Sequence, residues 1–368
     1  MIYKPYGKTG KKVSAIGFGG MRFPEGCSIE EGAEIVRYAS ELGINYFDTA
    51  PNYCNDTSED IFGEAFKQMP KDFYVSTKSS ISSDPTGDDV RRRLENSLKR
   101  MGLKKINFYN MWCILTYDQY KRVIAKDGPY WGALKAKEEG LIDHLVFSTH
   151  ASGEEIRMMV EDGLFEGVTL GYNAVNFPYR AEGIEAAYKH GLGVVTMNPL
   201  GGGLIPQNQE YFSFLKQNEA ESTIQAALRF NASHESISVV LSGMGSKEEV
   251  RHNVEAINNL QVFGKEKIDT IKGYLREEMN GFCTTCQYCK HCPKAINIPV
   301  YMELYNSYIL KGLEEAKEKY KQYKSWGTIK EGAAGPAECI KCGKCEKLCT
   351  QKLDIIKRLE WIRQELEG

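Results

Sequence analysis

The chain has 368 residues, 42% hydrophobic and 26% charged, with a formal net charge of −2; this is globular composition with room for one large domain and one small one. The charge balance excludes the strong basic excess of a nucleic-acid binder, because the lysine runs are diluted by nearby glutamates. No apolar run approaches the roughly twenty residues of a membrane helix, and MIYKPYGKTGKKVSAIGF lacks the apolar core of a signal peptide, so the sequence predicts a cytoplasmic protein with no membrane or nucleic-acid partner.

From Val13 to about Leu260, short β-rich runs alternate with longer helical ones, the pattern of βαβ units around a parallel sheet. Strands are predicted over residues 13–20, 44–49, 73–78, 106–112, 144–149, 167–173, 193–198 and 237–243. Eight of them predict an α/β fold closed as a (β/α)8 TIM barrel. Helices are predicted between them, as over 28–42 and 88–101, where apolar residues recur at three and four. An open doubly wound sheet would carry a Gly-rich dinucleotide fingerprint in its first turn, and GFGGMRF lacks that spacing. After Leu260 comes a charged helix over 265–280 and then cysteine-rich text, which places the domain boundary between residues 264 and 265. Residues 1–264 form the barrel, and 265–368 form a small, mainly α-helical domain with helices over 298–323.

Eight of the 11 cysteines lie between Cys283 and Cys349; Cys27, Cys54 and Cys113 are scattered ahead of them. Disulfides are not expected in a reducing cytosol. The first group is Cys283-x2-Cys286-x2-Cys289-x2-Cys292-Pro293, and the second is Cys339-x2-Cys342-x2-Cys345-x3-Cys349. Two-residue spacings let three thiolates of one tight loop reach three irons of a cubane. Two tetrahedral zinc sites are the alternative, but they need only pairs of CxxC and no triplets. The segment resembles a dicluster [4Fe-4S] ferredoxin with helical insertions. That resemblance implies Cys283, Cys286, Cys289 and Cys349 on one cluster, and Cys339, Cys342, Cys345 and Cys292 on the other. The first group departs from the pattern with two intervening residues where three are usual, and Thr350 stands where a proline often follows.

In a (β/α)8 barrel the chemistry sits where the strands end. There the run FDTAPNY carries Asp48 and Tyr53, and FYVSTK ends in Lys78. A lysine ammonium beside a phenol lowers its pKa and a carboxylate orients the lysine, which predicts Tyr53 as a tuned proton donor. YGKTGKKVSAIGFGGMRF, FDTAPNY, SEDIFGEAF and VSTK together resemble the aldo-keto reductases. The resemblance implies an NAD(P)H-dependent oxidoreductase acting on a small carbonyl substrate, with Asp48, Tyr53 and Lys78 catalytic. It further implies Ser148 on the nicotinamide amide, Met197 where a tyrosine often stacks, and Gly243, Ser246 and Asn253 at the nucleotide phosphates and helix start. The family's histidine is replaced by Trp112, next to Cys113, and a glutamine of the sixth strand by Thr169. Trp112 is expected as a pocket wall, and His150 as the substitute proton relay in one pocket with Tyr53. Glu249 stands where arginine is frequent, with Lys247 and Arg251 nearby, so the choice between NADH and NADPH stays open.

Hydride carries two electrons and a cluster one, so a flavin or a redox partner protein would have to link them; no flavin motif is readable. The expected function is carbonyl reduction coupled to electron transfer through two [4Fe-4S] clusters. The alternative is a catalytically altered barrel acting as an electron-transfer or cluster-sensing subunit.

Overall fold

Residues 1–275 and 281–367 are described in the computed structural model of the chain, and they divide into two compact units. The first comprises Met1–Leu200 and Leu215–Ile268; the second comprises Gly201–Phe214 and the chain from Asp269 onward.

The first unit opens with an antiparallel hairpin of β1 (Tyr3–Pro5) and β2 (Lys12–Ser14). Eight parallel strands follow: β3 (Ile16–Gly19), β4 (Tyr46–Asp48), β5 (Tyr74–Ser80), β6 (Ile106–Ile114), β7 (Ile142–Thr149), β8 (Gly167–Gly171), β9 (Gly193–Met197) and β10 (Val239–Gly243). They pair in sequence order, and β10 closes on β3 to form a barrel. The run expected as one strand over 13–20 is therefore two, and side chains explain the break. Ser14 N–H donates to Asn45 Oδ1 at 2.7 Å, and the Ser14 hydroxyl turns back onto the Ile16 carbonyl at 2.7 Å. These bonds end the hairpin before the barrel begins.

Inward-facing Tyr6, Tyr46, Phe108, Val146, Val195 and Val239 fill the lower part of the barrel. Tyr6 follows the hairpin's first strand and fits only because Gly193 has no side chain; a Cβ there would stand 2.1 Å from its ring. The helices around the barrel start where side chains satisfy free N–H groups. Ser28 with Glu31 and Thr86 with Asp89 form capping boxes at the starts of Ile29–Glu41 and Gly87–Met101.

The described part of the second unit is helical. Ile298–Lys311 packs against Leu313–Ser325 and Ile355–Leu366, and the first two are separated at Gly312, whose φ of 88° no helix continues. Ile298, Tyr301, Met302, Leu304, Ile355, Leu359 and Ile362 form the core. The charged helix is seen over Lys265–Leu275; its expected end, residues 276–280, lies outside the described residues. Among the described residues, no helix is long and apolar enough to cross a membrane.

Candidate active site and cysteine centres

Polar side chains converge at the carboxyl ends of β4, β5 and β6. Lys78 Nζ donates to Asp48 Oδ1 at 2.5 Å and to the Thr49 carbonyl at 2.8 Å, and the paired side chains retain only 2% and 6% exposure. Ser76 donates to the other Asp48 oxygen at 2.8 Å, Asn110 Nδ2 to Ser76 Oγ at 2.9 Å, and Thr169 to Asn110 Oδ1 at 3.2 Å. This polar chain spans β4 to β8 and fixes the carboxylate. Ser76 and Asn110 escaped the sequence reading because they sit inside strands, where a polar residue in the alternation carries no signal of its own.

Tyr53 lies on the loop after β4, with Lys78 Nζ 5.2 Å from its ring centre and the Trp112 ring edge-on at 6.2 Å. Burial pushes the Tyr53 phenol above its ordinary pKa, and Lys78 pulls it back only in part. The depression expected from the lysine is thus outweighed by desolvation. Burial also pushes the Lys78 ammonium down, but Asp48 and Tyr53 outweigh it, and Lys78 stays above its ordinary value.

His150 follows β7. Its N–H donates to the Ile114 carbonyl at 3.0 Å, and its carbonyl accepts from Arg180 Nη2 at 3.1 Å. Burial, with the Arg180 guanidinium adding to it, pushes the imidazole down to about 3. That shift favours the neutral imidazole, which has one donor and one acceptor nitrogen. Ser148, in register with Thr169 on β8, is fully buried, and its hydroxyl has no hydrogen-bond partner among the described residues. An orphaned buried hydroxyl is costly, and it fits a nicotinamide amide as partner. Met197 ends β9, in register with Gly171.

At the end of β10, Gly243 lies in register with Gly19. Ser246 caps the helix Lys247–Asn258, accepting from Glu249 N–H at 3.2 Å. The Glu249 carboxylate in turn accepts the Gly245 N–H at 2.7 Å. Lys247 is paired with Glu34 at 2.9 Å and Arg251 with Glu255 at 2.8 Å, while Asn253 donates to Ser242 at 3.1 Å. Arg22, which sequence reasoning passed over, lies across this loop: a Cβ on Gly243 would stand 2.6 Å from its Cγ. The available signal was its place just after the first barrel strand, which in a closed barrel neighbours the last.

In the second unit, the eight clustered cysteines line two small pockets, four to each. Cys283, Cys286, Cys289 and Cys349 share one with Met302, Leu353 and Ile355. Cys292, Cys339, Cys342 and Cys345 share the other with Ile296, Ile298 and Leu359. The two motifs repeat one backbone path. Positive φ occurs at Thr285 and Lys341 (48° and 55°), at Gln287 and Gly343 (64° and 70°), and at Ala295 and Lys352 (57° and 55°). The last pair shows that the shorter spacing before Cys292 leaves the exit turn unchanged. Among the described residues, no three or more of His, Cys, Asp and Glu are gathered to hold a single metal ion.

Asn306 holds the first loop, accepting Cys283 N–H at 2.9 Å and donating to the Cys283 carbonyl at 2.8 Å. The N–H groups of Thr285 and Leu353 point at the sulfurs of Cys283 and Cys349, each at 3.4 Å. Burial pushes the Cys283 and Cys349 thiols up, Cys289 to about 12 and Cys345 to about 11. Arg358 is stacked 4.5 Å over the Tyr305 ring, with Cys283 and Cys349 in its electrostatic field. Its Nη1 is buried and has no acceptor among the described residues. A cation so placed calls for nearby negative charge, which suits a thiolate-bound cluster.

A family model described as "Aldo/keto reductase family" matches residues 15–276, ending ahead of the eight clustered cysteines. Among curated proteins, the chain is 29% identical to L-galactose dehydrogenase of Arabidopsis thaliana over 71% of its own length and 89% of that protein. It is 25% identical to L-glyceraldehyde 3-phosphate reductase of Escherichia coli, covering 72% and 90%. Among solved structures, an aldo-keto reductase of Bacillus halodurans in its holo form superposes with a TM-score of 0.64 at 21% identity, over 74% of this chain and 96% of that one.

Proposed function

The chain belongs to the Aldo/keto reductase family, and from that premise we propose that its barrel reduces a carbonyl compound with NAD(P)H while its C-terminal unit binds two [4Fe-4S] clusters that carry single electrons. The observation that carries the first half is the buried Asp48–Lys78 pair beside Tyr53. When bound, the nicotinamide supplies hydride. Tyr53 gives its proton to the substrate oxygen, and the charged Lys78 stabilises the phenolate as it forms. Asp48, held by Ser76, fixes the direction of Lys78. Ser148 meets the nicotinamide amide, and the Gly243 loop with Ser246 meets the phosphates, where helix N–H groups favour negative charge. Trp112 can donate through its indole N–H but cannot relay a proton. Its apolar area excludes water and favours a flat or apolar substrate over a small sugar.

For the second half, the thiolates of Cys283, Cys286, Cys289 and Cys349 hold one cluster, and those of Cys292, Cys339, Cys342 and Cys345 the other. Support comes from the repeated backbone path, the sulfurs spread around cavities, and the orphaned Arg358 nitrogen. Four thiolates on one zinc would meet about 3.8 Å from one another, as Zn–S bonds of about 2.3 Å require. A redox partner protein or a flavin joins the one-electron and two-electron chemistries. Trp112 in place of a histidine favours a second reading, in which the barrel has exchanged catalysis for electron transfer or sensing.

Anaerobic purification followed by metal and sulfide analysis tests the cluster assignment. About eight irons with acid-labile sulfide per chain are expected, and stoichiometric zinc without sulfide overturns it. Carbonyl-dependent oxidation of NAD(P)H that survives Tyr53→Phe at full rate overturns the barrel chemistry and leaves the second reading.

A further inference from the structure

The two cysteine centres differ in their access to solvent. Cys283, Cys289 and Cys349 are buried and Cys286 is half-buried, whereas in the other centre none is buried: Cys342 is exposed and Cys292, Cys339 and Cys345 are partly so. Ile340, beside Cys342, is 57% exposed, an uncommon position for a large apolar side chain unless something covers it. The charge around these loops is one-sided. Residues 283–297 and 339–352 contain six lysines and one glutamate, although the chain as a whole has a net charge of −2. All six lysines are exposed. Glu346, the one acid, turns its carboxylate inward onto the Ile356 N–H at 2.9 Å, and among the described residues Lys341 alone of the six is paired with a glutamate, Glu360. The short helix Lys344–Leu348 packs against Tyr288–Lys290, which gathers lysines from both motifs on neighbouring segments.

We propose that the centre of Cys292, Cys339, Cys342 and Cys345 is the port through which electrons enter this unit, and that the surrounding lysines dock an acidic, ferredoxin-class one-electron carrier. The inference rests on the cluster reading above and names the partner that the reading requires. Electron transfer weakens steeply with distance, so the centre with an exposed ligand is the one a docked carrier reaches. The inner centre has a cation of its own, since Arg358 lies in the field of Cys283 and Cys349, so the exposed lysines are not needed to offset that centre's charge. An apolar contact at Ile340 inside a basic rim suits an acidic carrier, with long-range charge steering the encounter. In the step itself the reduced carrier loses one electron, the oxidised cluster gains it, and no atom moves.

The test is anaerobic stopped-flow reduction of the full-length, iron-replete chain by a prereduced acidic plant-type [2Fe-2S] ferredoxin. The second-order rate constant is expected to fall about tenfold or more between about 0.01 M and about 1 M salt, as the Debye length contracts from about 30 to about 3 Å. Lys290→Glu combined with Lys347→Glu should lower the low-salt rate about tenfold, while a charge-neutral viologen radical reduces wild type and variant equally fast. If the charge reversal costs iron, Lys290→Gln with Lys347→Gln provides the same comparison with a smaller effect. Salt-independent reduction, an unchanged ferredoxin rate in the iron-replete variant, or equal slowing with the viologen overturns the port. A wild-type chain without iron overturns the cluster reading and the port with it.

Discussion

Burial raises the pKa of the Tyr53 phenol more than Lys78 lowers it, which makes Tyr53 a loaded acid well past neutrality. Carbonyl reduction needs the protonated form, so kcat/KM is expected to be level through neutral pH and to fall only above about 10, the ordinary phenol value. A limb between about 6 and 8 would instead report an imidazole; it would require a histidine other than the strongly depressed His150. Asp48, Tyr53 and Lys78 were legible as candidates because each stands at or just beyond a strand end in the text. The balance between burial and charge was not, since it depends on how tightly Trp112 and the loop after β4 enclose the phenol. Arg358 and Asn306 were equally hidden. Each is an ordinary polar residue of a helix until Cys283 and Tyr305 are packed against it.

At the level of elements, the eight-strand repeat and the helices over 28–42 and 88–101 were readable from local text. Two features were not, because distant partners decide them. The split of the first expected strand depends on Asn45. The placement of Gly201–Phe214 in the second unit reflects contacts such as Phe212 with Phe282, 6.0 Å between ring centres, and Thr285 with the Gly202 carbonyl at 3.4 Å. The loop after β10 carries a consequence for cofactor choice. Glu249 occupies the Gly245 N–H, and both Lys247 and Arg251 are held in ion pairs, so a 2′-phosphate would meet negative charge with only Arg22 lying across the loop. NADH is therefore expected to bind at least as tightly as NADPH. Glu249→Gln should tighten NADPH about tenfold relative to NADH, the scale of one like-charge contact near a surface. Fluorescence titration of both nucleotides checks it, and a wild-type preference for NADPH would show that Arg22 prevails.

Across the whole molecule, the proposed function puts a two-electron site and two one-electron centres on one chain, and their electron counts do not match. The barrel's residues support transfer of hydride, in which both electrons and the nucleus move together; nothing among Asp48, Tyr53 and Lys78 stores a single electron. A [4Fe-4S] centre accepts one electron and no proton. NAD(P)H alone is therefore expected to leave the clusters of the anaerobic protein oxidised over minutes, whatever its affinity for the barrel. Visible absorbance near the cluster bands and the spin signal of the reduced state both report the outcome. Adding a catalytic amount of free flavin together with NAD(P)H should bleach the clusters, because a flavin takes hydride and returns electrons singly. Immediate bleaching by NAD(P)H without flavin would mean that the chain divides the electron pair itself, and the division of labour between hydride chemistry and single-electron transfer would have to be abandoned.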